Sequence, residues 1–187
     1  IGHNSARDNQ TSSNNIAIGV NCQLEATGSG NTSVGSNASR LVTGTNNSFF
    51  GNGAGSSTTS GAGNIVIGAS ATASSATVNN EVTLGNSSIT ALRCNVQTIS
   101  SLSDERDKTN VIDLPEGLDF VTKLRPVKFE WATRDGNGKD GSYEHGFIAQ
   151  DLQAAQKEND ADYLNMVMDE NPDRLEASYG KLVPILV

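Results

Sequence analysis

The apolar pattern of the chain changes near residue 100, and each half predicts its own kind of element. In the first half a short apolar run recurs ahead of a glycine: Ile16-Ala17-Ile18-Gly19, Thr32-Ser33-Val34-Gly35, Ser48-Phe49-Phe50-Gly51, Ile65-Val66-Ile67-Gly68 and Val82-Thr83-Leu84-Gly85, with Ile1-Gly2 as a partial copy. The glycines lie 17, 16, 16, 17 and 17 residues apart. A fixed period of this length marks an array of stacked units. Alternation places Ile16 and Ile18, Ile65 and Ile67, and Val82 and Leu84 on one strand face, expected to point inward. Phe49 and Phe50 are expected to fill one rung, with an exposed Phe as an anchor for packing between chains. Upstream stand Asn14-Asn15, Gly30-Asn31, Asn46-Asn47, Gly63-Asn64 and Asn79-Asn80. Asn and Gly tolerate the left-handed backbone that tight corners need.

One strand with two inward side chains buries no core by itself, but stacked coils of a parallel β-roll or solenoid do. The coil interior is rich in Ala, Ser, Thr, Asn and Gly, while each ordered residue costs about 1–2 kcal/mol of chain entropy. So narrow a roll gains most by burying a flank against copies of itself, and a parallel homotrimer is expected.

After residue 100 the periods lengthen. Pro115 is placed at a first helical position, and Leu118, Val121 and Leu124 form a stripe at helical spacing that Pro126 ends. Val127, Phe129 and Trp131 alternate with Lys128 and Glu130, which predicts a half-buried strand. A glycine-rich turn over 135–141 and a strand over 143–147 complete a hairpin. Residues 148–158 read as a helix with Ile148, Leu152 and Ala155 inward. A second hairpin is expected from 166–168 and 175–179, followed by an apolar end over 182–187. Phe129, Trp131 and Phe147 are expected in the core. The fold class is thus an all-β parallel roll over 1–100, followed by an α+β domain with hairpins and helices over 101–187.

Charge follows the same division. Residues 1–100 hold Arg7, Arg40 and Arg93 against Asp8, Glu25 and Glu81, so residues 101–187 account for the whole net charge of −8. An acidic chain without a basic cluster argues against nucleic acid and anionic membrane as partners. No apolar run reaches the roughly 18–20 residues that a membrane span needs. Beginning at Ile1 in mid-pattern, the sequence reads as a fragment of something longer. Cys22 and Cys94 occupy different phases of the repeat and make poor disulfide partners. No multi-His or Cys/His cluster suggests a metal, and Asp135, Asp140 and Glu144 lack a calcium-loop pattern. No cofactor is implied.

One segment carries chemistry. Ser103-Asp104-Glu105-Arg106-Asp107-Lys108-Thr109-Asn110 sets a serine five residues before a lysine. A serine hydroxyl needs a base within hydrogen-bond reach to act as a nucleophile. Of the two histidines, His3 lies in the other half, while His145 remains a candidate. Lys108 is close enough to fold back across a turn. The same residues also read as a helix start, with Ser103 or Asp104 as a cap. An ordinary lysine is only about 0.04% neutral at pH 7. Burial or a neighbouring cation raises that fraction, so such a pair would fire only once folding takes the amine out of water.

The first half resembles the head repeats of trimeric autotransporter adhesins and the collars and shafts of phage tail fibres, closest in Gly30-Asn31-Thr32-Ser33-Val34-Gly35-Ser36-Asn37-Ala38. In the second half the ordered segments SDERDK, LRPVKFEW, HGFIAQDL and YGKLVPILV resemble the intramolecular chaperone of phage tailspikes and tail fibres. That is the endosialidase-type, or peptidase S74, domain, which is similar to the self-cleaving region of myelin regulatory factor. Asp107 departs from the pattern, standing where the family has an aliphatic residue.

The resemblance implies an autoproteolytic serine endopeptidase with Ser103 as nucleophile and Lys108 as base, cutting between Leu102 and Ser103. It implies that Asp104, Arg106 and Asn110 fix the turn or stabilise the oxyanion. Gln150 is expected to contact the site or a neighbouring chain, or to satisfy a core polar group. The chain would then belong to a virion, as a homotrimeric tail fibre or tailspike assembled in the host cytoplasm. Two alternatives are a trimerisation tip that does not cleave, and an adhesin whose repeats bind a host receptor or glycan.

Overall fold

The computed structural model describes residues 1–9, 11–96, 98–132, 134 and 141–187. The expected turn over 135–140, with Asp135 and Asp140, lies outside the described residues. The chain divides into two compact units, Ile1–Ile89 and Thr90–Val187.

The first unit is a parallel β-roll of stacked coils. Its strands β1 (Ile16–Ile18), β2 (Thr32–Val34), β3 (Ser48–Phe50), β4 (Ile65–Ile67) and β5 (Val82–Leu84) form one sheet in chain order. Register is strict, with Ile18, Val34, Phe50, Ile67 and Leu84 aligned from strand to strand. The direction of the strand faces reverses the expectation. In each three-residue strand the middle residue points inward, and Ser33, Phe49 and Val66 are fully buried. The flanking pairs point out: Ile16, Ile18, Ile65, Ile67, Val82 and Leu84 are 40–62% exposed. The interior explains the reversal. It is floored by Cys22, Ala26, Ala38, Ala54 and Ala71 and has room for one side chain per strand, not two. Even Phe49 fits only because Gly55 lies beside its ring, where a Cβ would stand 2.0 Å from Cδ1. Phe49 and Phe50 therefore do not share a rung interior: Phe49 is buried and Phe50 is 40% exposed.

The repeat glycine is demanded by the stacking. Gly19, Gly35 and Gly51 take φ of 138°, 141° and 137°. A Cβ on Gly35 would lie 2.1 Å from the carbonyl oxygen of Gly51 in the next coil. The corner residues Asn14, Gly30, Asn46, Gly63 and Asn80 adopt the left-handed backbone expected of them, with φ between 59° and 71°. Behind them runs a ladder of asparagines. The side-chain oxygens of Asn15, Asn31 and Asn47 accept the backbone N–H of Asn31, Asn47 and Asn64 at 2.7–2.9 Å. Their Nδ2 groups donate to the carbonyls of Gly28, Gly44 and Gly61. Buried backbone polar groups need partners of this kind. The ladder ends on Glu81, whose N–H donates to Asn64 Oδ1 at 2.9 Å. The last corner is thus Asn80-Glu81, one residue later than the Asn79-Asn80 alignment.

The second unit is α+β. Its core gathers Phe120, Leu152, Ala161, Leu164, Met166 and Ile185. Helix α1 (Leu118–Val121) follows Gly117, not Pro115, and buries Phe120, while Leu118 is 74% exposed. Strands β6 (Val127–Glu130) and β7 (Tyr143–Gly146) pair antiparallel as expected. Phe129 and Trp131 stack edge to face on this ribbon at 5.1 Å and are only half-buried; they are not core. Phe147 is also half-buried but packs against the core. Helix α2 (Ala149–Glu158) buries Leu152 and Ala155, whereas Ile148 precedes its first turn and is exposed. The second hairpin is short, β8 (Val167–Met168) with β9 (Glu176–Ala177), because Tyr179 starts a 3-10 turn that leads into α3 (Val183–Leu186). Buried Gln156 accepts the Met166 N–H at 2.7 Å, tying α2 to the approach to β8.

Among the described residues, Cys22 is buried, Cys94 is exposed and both are free thiols. No helix among them is long and apolar enough to cross a membrane. They contain no group of three or more His, Cys, Asp or Glu side chains placed to hold a metal.

Candidate active site

Ser103 and Lys108 meet. Lys108 Nζ donates to Ser103 Oγ at 2.7 Å. The contact is made by a single 3-10 turn, Glu105–Asp107. Asp104 caps it, its Oδ1 accepting the Arg106 N–H at 2.9 Å, and the Lys108 N–H closes it on the Glu105 carbonyl at 3.1 Å. Asp at an N-cap satisfies a backbone donor that the turn leaves open. The helix-start reading of these residues is therefore correct for Asp104, and the turn it starts carries Lys108 back to Ser103.

Arg106 folds over the cap. Its Nε and Nη2 donate to the two Asp104 oxygens at 2.9 and 2.6 Å. The guanidinium, together with the Arg106 backbone N–H, holds the Asp104 carboxyl below its ordinary range. Asn110 follows with φ of 53°, a left-handed conformation that asparagine tolerates. Ser103, Lys108 and Asn110 are exposed, and Leu102 is 83% exposed. In the single chain the pair is formed but open to water.

The structure does not bring every sequence candidate here. Gln150 stands exposed in the first turn of α2, and so fills no core polar role. His145 lies on β7 opposite Lys128. Among the described residues, the side chain that hydrogen-bonds Ser103 is Lys108.

Two further contacts join the segments that carry the resemblance. Arg125 in LRPVKFEW pairs with Asp151 in HGFIAQDL, Nη2 to Oδ2 at 2.6 Å. Tyr179 in YGKLVPILV accepts the Phe147 N–H through its hydroxyl at 3.1 Å. Neither partnership was read from the sequence, where the only signal was the presence of both partners in motif segments.

Residues 103–160 match the family model described as the chaperone of endosialidase, peptidase S74. This segment is similar to the endosialidase-type chaperones. The matched residues begin at Ser103 itself and include the capped turn, the ribbon and α2. A curated relative, the uncharacterized protein VP1 of Micromonas pusilla reovirus (isolate Netherlands/2005), is 42% identical over 64 residues. That stretch covers 33% of this chain, and the chain spans 3% of the relative's length. No solved structure matches.

Proposed function

We propose that the chain is part of a viral tail fibre or tailspike in which the chaperone unit drives homotrimer assembly and then cuts itself free between Leu102 and Ser103. The observation that carries this reading is the 2.7 Å contact between Lys108 Nζ and Ser103 Oγ at the first residue of the chaperone match.

The chemistry starts when the Lys108 amine gives up its extra proton. Neutral Nζ then accepts the Ser103 hydroxyl proton while Oγ attacks the Leu102 carbonyl carbon. The C–N bond breaks, the proton passes to the leaving Ser103 nitrogen, and Leu102 is left as an ester on Oγ. Water hydrolyses the ester, yielding a Leu102 carboxylate, a free Ser103 hydroxyl and a new N-terminus. A neighbouring chain that excludes water from the site would favour the neutral form of the amine. Cleavage would then report assembly.

The first unit supports the homotrimer. Its outward sheet face carries two aligned columns without a charged residue, headed by Ile16 and Ile18. The column Ile18, Val34, Phe50, Ile67 and Leu84 is apolar throughout, whereas Thr32 and Ser48 interrupt the other, and an exposed apolar row of this kind favours burial against another chain. Parallel β assembly is slow and repeats can slip in register, so a trimerising chaperone gives the fibre a defined start. Its later loss would leave the fibre kinetically trapped.

The test compares the wild type with Ser103→Ala and Lys108→Ala by denaturing gel, intact mass and sedimentation. The wild type should yield two fragments, one starting at Ser103, from a trimeric species, while both variants stay whole and trimeric. Cleavage in either variant, or a monomeric wild type, overturns the reading.

A further inference from the structure

We infer that Asp104 is a positioning residue, the N-cap that folds the Glu105–Asp107 turn and thereby sets Lys108 Nζ against Ser103 Oγ. The inference rests on the cleavage reading for its consequence, but its geometry stands apart from it.

Three observations carry it. The Ser103–Lys108 contact spans five residues and is bridged by one short turn, so the turn determines whether the two side chains meet. None of the turn's residues is buried, so packing does not hold it in shape. What holds it is local: the Asp104 side chain on the Arg106 N–H, and the Asp104 and Glu105 carbonyls on the N–H groups of Asp107 and Lys108. An isolated turn of this length is marginal in water. A side-chain cap biases such a turn by about fivefold to tenfold, and here that bias passes directly into the fraction of chains whose dyad is assembled. The same geometry assigns Arg106 to Asp104, whose carboxylate accepts from its Nε and Nη2.

Asp104→Ala removes the cap. Asp104→Asn keeps an oxygen to accept the Arg106 N–H but loses the ion pair, so it separates the two contributions. In the full chain, Asp104→Ala should slow cleavage about fivefold to tenfold at unchanged sedimentation, and Asp104→Asn should restore most of the rate. A second readout is independent of cleavage: the nuclear Overhauser contact between the Lys108 ε-methylene and the side chain at position 103. It is followed through the Ser103 β-methylene in the wild type with labelled lysine, and through the substituted methyl in a Ser103→Ala background. That contact should weaken in Asp104→Ala and persist in Asp104→Asn. An undiminished contact in Asp104→Ala, or no recovery in Asp104→Asn, overturns the assignment. An uncut wild type whose contact responds as expected sinks the cleavage reading and leaves the positioning role standing.

Discussion

Gly146 lies directly under the hydroxyl of Tyr179: a Cβ on Gly146 would stand 2.2 Å from Tyr179 Oη. The same hydroxyl accepts the Phe147 N–H, and the Tyr179 ring meets that of Phe147 edge to face at 5.6 Å. The end of β7 and the 3-10 turn before α3 are thus joined through one tyrosine, and the site that receives it must lack a side chain. Gly146→Ala should push the ring out and lose both the hydrogen bond and the stacking, about 1–3 kcal/mol together. Tyr179→Ala should cost a similar amount, and the double variant should cost little more than either single one. Chemical denaturation of the three variants checks this; fully additive losses would show that the two residues are not coupled.

The glycines of the roll answer to backbone, which cannot swing aside. Gly35→Ala would place its Cβ 2.1 Å from the Gly51 carbonyl oxygen, at a φ of 141° that alanine does not readily adopt. The expected loss is about 3 kcal/mol or more, larger than at Gly146. Gly117→Ala is the control, because nothing lies within 4 Å of a Cβ there. A melting temperature for Gly35→Ala close to that of Gly117→Ala would contradict the stacking.

Much of this was legible before the structure, and the failures have one physical source. The period, the parallel stacking, the left-handed corners, the β6–β7 hairpin and α2 all follow from local chemistry: glycine and asparagine at fixed offsets, alternation, and helical spacing. What alternation could not decide is which of two faces is inside. Two isoleucines flanking one alanine look like a core pair, yet a coil floored by alanines has space only for the middle residue, so Ala17 turns in and Ile16 and Ile18 turn out. The same limit explains α1, where Phe120 and not Leu118 is the buried anchor. At the candidate site the Ser103–Lys108 spacing was readable, and so was capping. That the cap is what brings the two residues together depends on the backbone path of the turn, which spacing alone does not specify.

Acid should loosen the roll at its last corner. Burial works against the charge of Glu81, but hydrogen bonds from the Ser74 side chain, the Thr83 hydroxyl and the Ser74 N–H prevail and hold its carboxyl below the ordinary value of 4.5. A group that releases its proton more readily when folded favours the fold at higher pH. Its contribution is fully present above the unfolded value and is lost as pH falls through the lower folded value. Glu81→Gln should therefore flatten the stability curve below about pH 4.5. An acid limb of unchanged slope in Glu81→Gln, measured by urea denaturation at stepped pH, would assign that limb to other carboxylates.

The outward columns make the last prediction. Phe50 and Ile67 are neighbours in register, 40% and 43% exposed, on a face whose ten strand positions carry no charge. In a lone chain an aspartate at either position would stay in water and cost little. In a trimer that buries this face it would be desolvated without a partner, at about 2 kcal/mol or more per site. The combined Phe50→Asp, Ile67→Asp chain should keep the circular dichroism of the roll while its trimer dissociates at least tenfold more readily on dilution. Thr59→Asp, on an exposed residue outside the strands, should leave dissociation unchanged. Equal dissociation of all three proteins in sedimentation would show that the columns face solvent in the assembled fibre and that another surface holds the chains together.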